Sequence, residues 1–159
     1  MSNPVIIDAT PGQSYADITR EFDAPVAAVF RAHADPELFK IWIGPRSEKT
    51  TITHWDFRSG GGYRFEQTEG DGQTYAFRGV FHTVIENELI IQTFEYEGWP
   101  NEVSLDSIRF EELPGGRSRI VDHSVYPTVE VLENMVREGM ETGMREGYEK
   151  LDELIGARS

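Results

Sequence analysis

The chain contains no cysteine in 159 residues. A disulfide scaffold, a thiolate zinc site, an iron–sulfur cluster and a Cys nucleophile are therefore excluded. Basic residues are also scarce. Lys plus Arg number 15 against 28 Asp plus Glu, a formal charge of -13. A field of that sign repels phosphate backbones and anionic lipid surfaces, so neither nucleic acid nor membrane is expected as a partner. No apolar run approaches the ~18 residues that a membrane span requires. Met1 to Asp8 has neither a basic segment nor a long apolar one, so no secretory signal is expected. Gly156-Ala157-Arg158-Ser159 matches no lipidation signal, and the cytoplasm is the expected compartment.

Familiar catalytic signatures are missing as well. There is no HExxH and no Gly-x-Ser-x-Gly elbow, and Gly60-Gly61-Gly62 lacks the lysine of a phosphate-binding loop. His33, His54, His82 and His123 show no metal-ligand spacing, although His82 and His123 could meet across strands. No metal, cofactor or catalytic residue is assigned.

What remains is apolar mass in a regular pattern. Hydrophobic residues make up 38% and aromatics 11% of the chain, too much for a disordered segment. The length suits one domain. Residues 1–14, with Pro4, Pro11 and Gly12, read as a loose lead-in, and 15–157 as a single domain. Tyr15 to Phe22 reads as a first strand. Asp23-Ala24-Pro25 and Asp35-Pro36 each pair a capping residue with a proline, predicting two short helices, the second ended by Gly44-Pro45. Between Thr50 and Tyr126, β-branched and aromatic residues alternate and are cut by Gly60-Gly61-Gly62, Gly70-Asp71-Gly72, Glu86-Asn87-Glu88, Gly98-Trp99-Pro100-Asn101 and Pro114-Gly115-Gly116. From Thr128, a plausible cap, Leu132, Met135, Val136, Met140, Met144, Tyr148, Leu151 and Ile155 predict one helix over 128–155, roughly 40 Å long.

Tight turns imply an antiparallel sheet, and the amphipathic helix needs an apolar face to cover. The expected fold is α+β: a curved antiparallel sheet of six or seven strands around a long C-terminal helix, with two short helices after the first strand. Such a grip can leave a cavity between helix and sheet.

Several segments carry a family resemblance. They are Ile18-Thr19-Arg20-Glu21-Phe22-Asp23-Ala24-Pro25, Val29-Phe30, Asp35-Pro36, Trp42-Ile43-Gly44-Pro45, Asp56-Phe57-Arg58-Ser59-Gly60-Gly61, Tyr75-Ala76-Phe77-Arg78-Gly79, Gly143-Met144, Gly147-Tyr148 and Leu151-Asp152-Glu153-Leu154. In this order they resemble the AHSA1-like proteins, the Hsp90 ATPase activator homologues of the START-like (SRPBCC) superfamily, over residues 15–155. Tyr148 departs from the tryptophan often found there. The resemblance implies a helix-grip (Bet v 1-like) fold with an apolar cavity. It implies little about chemistry, because the superfamily holds carriers, cyclases and hydrolase-like members.

The candidate ligand-binding residues are Trp42, Tyr63, Phe65, Tyr75, Phe77, Phe81, Phe94, Trp99, Phe110, Met140 and Met144. Adaptable methionines and aromatic walls suit an apolar ligand, although each could equally be ordinary core. Gly139, Gly143 and Gly147 recur every four residues, for close packing or for ligand space. Arg78, Glu95, Asp106, Arg109 and Asp122 occupy strand positions and are read as a solvated outer face. The expected function is binding of a small apolar or amphipathic molecule. The alternatives are a chaperone-interaction module and an enzyme acting on a bound molecule, the last requiring an inward acid–base pair. A homodimer is left open.

Overall fold

Period-two alternation of buried and exposed side chains, with turns at glycine and asparagine, builds most of the molecule. The computed structural model describes residues 3–156. Residue 157, where the expected domain ends, and the outermost residues read for address signals lie outside that range. The strands are β1 (Val5–Asp8), β2 (Tyr15–Phe22), β3 (Glu48–Trp55), β4 (Gly62–Glu69), β5 (Thr74–Ile85), β6 (Leu89–Tyr96), β7 (Ser104–Leu113) and β8 (Arg117–Val125). The helices are α1 (Val26–Ala34), α2 (Pro36–Trp42), α3 (Val129–Arg137) and α4 (Met140–Gly156).

All eight strands join one curved antiparallel sheet in the order β1-β2-β8-β7-β6-β5-β4-β3. Register shifts at Ile52/His54 and Phe81/Thr83 mark bulges, which bend a strand and increase its twist. The strand count exceeds the expected six or seven because Val5-Ile6-Ile7-Asp8, within the supposed lead-in, pairs with Asp17–Arg20.

The helix starts follow the caps in two of three cases. The Asp35 side chain accepts the Glu37 N–H, and Thr128 accepts the Val131 N–H. Asp23 does not cap α1. Pro25 takes the N-cap position without a side-chain bond, and Asp23 is held by Arg117 Nε at 2.9 Å.

The expected single C-terminal helix is two helices. Gly139 has φ +99°, a left-handed conformation that ends α3 and lets α4 start in a new direction. Of the three spaced glycines, only Gly147 sits against other backbone. A Cβ there would lie 3.1 Å from the Trp42 carbonyl oxygen, so α4 rests closely on α2.

The core falls into two clusters. The larger gathers Phe22, Val29, Phe30, Trp42, Tyr63, Phe65, Phe81, Phe110, Ile120, Tyr148 and Leu151 between sheet, α1, α2 and α4. The smaller joins Ala16, Tyr126, Val131 and Leu132, with Trp99, Met135 and Met140 against it. Among the described residues no helix is long and apolar enough to cross a membrane.

Candidate functional site

Strand register places two rows of side chains on the inner face. One row runs Ala16, Ser124, Asp106, Gln92, Phe81 across β2, β8, β7, β6 and β5. The next runs Ile18, Asp122, Ile108, Ile90. Asp106 and Asp122 are therefore diagonal neighbours facing inward, at the seam between the two apolar clusters. This corrects the outer-face expectation for both.

Their surroundings differ. Asp106 has polar neighbours on either side. Ser124 Oγ donates to its Oδ1 at 2.5 Å, and Gln92 also hydrogen-bonds its side chain. Asp122 stands between Ile18 and Ile108, which offer nothing. It is 7% exposed, and its Oδ1 has no hydrogen-bond partner among the described residues. Burial lifts the Asp122 carboxyl well above the ordinary range, and the charges of Asp106 and Asp17 push the same way. Burial also raises Asp106, opposed by its bonds from Ser124 and Gln92. Of the pair, Asp106 is thus the group that ionises first and Asp122 the one that keeps its proton. Asp106 is enclosed by protein, yet it keeps accessible surface.

Tyrosines complete the surroundings. The Tyr126 hydroxyl lies 3.5 Å from Met140 Sδ, and burial raises its pKa to about 12. Burial also raises the Tyr148 hydroxyl, with Asp122 and Asp106 adding to the effect. Arg20, 1% exposed, does not neutralise the acid pair. Its Nη1 and Nη2 donate to Asp152 at 2.9 and 2.7 Å, and its guanidinium carbon stands 4.8 Å from the Phe22 ring centre.

Of the remaining strand charges, Arg78 and Arg109 are exposed, whereas Glu95 is buried at 7% exposure. Arg78 Nε donates to Glu95 at 3.0 Å, and Glu95 also accepts the Asn101 N–H. His123 is bonded to Asp17 and His82 to Thr83, on strands that are not neighbours in the sheet. Among the described residues no group of three or more His, Asp or Glu is placed to hold a metal.

The sequence-based candidates scatter over several environments. Trp42, Tyr63, Phe65, Phe81 and Phe110 are buried in the larger cluster, with Phe77, Phe94 and Met144 half-buried against it. Trp42 stacks on Tyr148 at 5.9 Å between ring centres and donates its indole N–H to the Ala32 carbonyl at 2.8 Å. Tyr63 donates to the Thr93 carbonyl at 2.6 Å. Trp99 and Met140 belong to the smaller cluster. Tyr75 is half-buried beside Tyr96, away from the acid pair's rows. Two open clefts, of about 480 and 470 Å³, lie elsewhere. One is at the end of α4 beside Arg46 and Glu153, and the other lies between α2 and β3 beside Lys40 and His54. None of the sequence-based candidates lines either cleft.

Sequence reasoning missed Ser124, Gln92, Tyr126 and the inward turn of the two aspartates. The available signal was parity: Asp106 is two residues before Ile108 and four before Phe110, and Asp122 is two after Ile120.

The model of the activator of Hsp90 ATPase homolog 1-like family matches residues 23–156. The chain belongs to this family. Solved structures share the AHSA1-like fold. A solution structure from Arthrobacter aurescens is 25% identical with a TM-score of 0.86, covering 96% of this chain and 91% of its own. Crystal structures of Ms6760 from Mycobacterium smegmatis and of a Rhodobacter sphaeroides protein follow, at 26% and 21% identity with TM-scores of 0.84 and 0.87. They cover 95% and 97% of this chain and 96% and 99% of their own. No curated protein matches the chain significantly.

Proposed function

We propose that this AHSA1-like protein binds a small, mainly apolar molecule between the inner face of the sheet and helices α3 and α4. The observation that carries the reading is Asp106, enclosed by protein and yet retaining accessible surface. Gln92 beside it and Met140 and Met144 on α4 are likewise only half-buried. Methionines adapt their shape to different ligands, and a few polar groups in an apolar setting fix a ligand's orientation. The reading takes the cytoplasm as its compartment, on composition alone.

Uptake of diphenylhexatriene, followed by fluorescence, tests it. The wild-type protein takes up the probe, and Met144→Trp abolishes uptake while leaving the circular dichroism spectrum unchanged. Absence of uptake by the wild type, or full uptake by a folded Met144→Trp variant, overturns it.

A second reading, acid–base catalysis on the bound molecule, is favoured by one observation, the inward carboxyl pair of unequal basicity. It requires turnover that Asp122→Asn removes while probe uptake persists.

A further inference from the structure

Among the described residues no cation is hydrogen-bonded to or ion-paired with the interior acid pair. Asp106 accepts from neutral groups only, Ser124 and Gln92. Asp122 presents an unpartnered Oδ1 while flanked by two isoleucines. Arg20, an inward cation on β2, is bonded in bidentate fashion through Nη1 and Nη2 to Asp152 of α4. The other titratable groups around the pair are the Tyr126, Tyr148 and Tyr63 hydroxyls, all pushed up by burial and by the charge of Asp106, and Asp17 acts on it through the sheet. A carboxylate in such a place is poorly solvated, and an unsatisfied buried oxygen is costly. One group answers both needs: a cationic donor with several N–H bonds. An ammonium group can donate to Asp122 and Asp106 together, and aromatic rings with apolar walls also suit a cation's alkyl chain.

We propose that the site selects a ligand with an apolar body and a single ammonium end, which docks on Asp106 and Asp122. This rests on the ligand-binding reading above and specifies the ligand's chemistry. Docking has a proton signature. Without ligand, burial and the neighbouring charges of Asp106 and Asp17 favour the protonated form of Asp122. An ammonium beside it favours the carboxylate, so binding a pre-charged amine expels that proton to solvent.

Isothermal titration calorimetry with octylammonium, octanol and octanoate at pH 7 tests this. Each titration is repeated in buffers of different ionisation enthalpy. Octylammonium binds about tenfold or more tighter than octanol, octanoate binds weakest, and octylammonium binding alone releases protons. Asp122→Asn and Asp106→Asn each bring octylammonium to the affinity of octanol. Equal binding of octanol and octylammonium without proton release overturns the proposal and leaves the ligand-binding reading standing. Failure of all three probes together with diphenylhexatriene overturns both. If a variant does not fold, the wild-type selectivity and proton release decide alone.

Discussion

His33 offers a quantitative test of how tightly the helical side of the core is closed. It is 7% exposed, lies between the rings of Trp42 and Phe110 at 4.8 and 5.1 Å, and its Nδ1–H donates to the Val29 carbonyl at 2.8 Å. Burial lowers its pKa from 6.5 to about 4, only partly offset by that hydrogen bond. The neutral imidazole is therefore the form that folds. In the unfolded chain the ring takes up a proton as pH falls through 6.5, and the native state does not follow until about pH 4. Stability is complete above 6.5 and declines between those values. The linkage loss is about 2 kcal/mol at pH 5 and about 3 kcal/mol once both states are protonated. His33→Leu removes the titration and keeps an apolar side chain of similar size. Urea unfolding of both proteins at pH 7.5 and pH 5 isolates the term, because the carboxyl groups titrate alike in both. The midpoint difference shifts by about 1 M in favour of the variant at pH 5. A difference that is the same at both pH values would refute the reasoning, since it would mean the native imidazole is protonated without cost.

Two further perturbations probe the sheet. Gly79→Ala places a Cβ 2.0 Å from the Thr93 carbonyl and within 2.7 Å of the Tyr63 ring, so backbone must move and the Tyr63–Thr93 bond is lost. A loss of about 3 kcal/mol in chemical denaturation is expected, and a loss below about 1 kcal/mol would contradict the packing. Asp122→Asn probes the acid pair through pH. The carboxyl's folded pKa is raised, so its contribution is complete below its unfolded value and fades as pH rises toward the folded one. The variant's stability, measured from pH 5 to pH 9, falls less toward alkaline pH than that of the wild type. Parallel curves would place Asp122 in contact with water.

Local chemistry made much of the fold readable. Gly70-Asp71-Gly72 joins β4 to β5, and Pro114-Gly115-Gly116 joins β7 to β8 with φ values of +80° and +73° at the two glycines. Strand β1 was hidden because four residues flanked by prolines carry little pattern, and its existence depends on pairing with β2. The helix break was hidden for another reason. The apolar stripe continues through Met135, Val136, Met140 and Met144, so its period stays intact across Gly139, and only the backbone at that glycine turns. Asp23-Ala24-Pro25 misled because the arginine that takes Asp23 lies on β8, distant in sequence. The aspartates of the candidate site are visible in the sequence but unoriented there. Their inward aim depends on which face of β7 and β8 meets the helices, and Ile108, Phe110 and Ile120 decide that by burial.

The break at Gly139 also sets how the protein comes apart locally. Helix α3 is anchored through Val131 and Leu132 in the smaller cluster, whereas α4 holds the larger one through Tyr148 and Leu151 and is tied to Arg20 by Asp152. The two helices therefore have separate opening free energies, with α3 the weaker unit. Backbone amides of α3 are expected to exchange with deuterium before those of α4. On the ligand-binding reading proposed above, entry and exit of a small molecule would need only the cost of such a local opening, far below that of global unfolding.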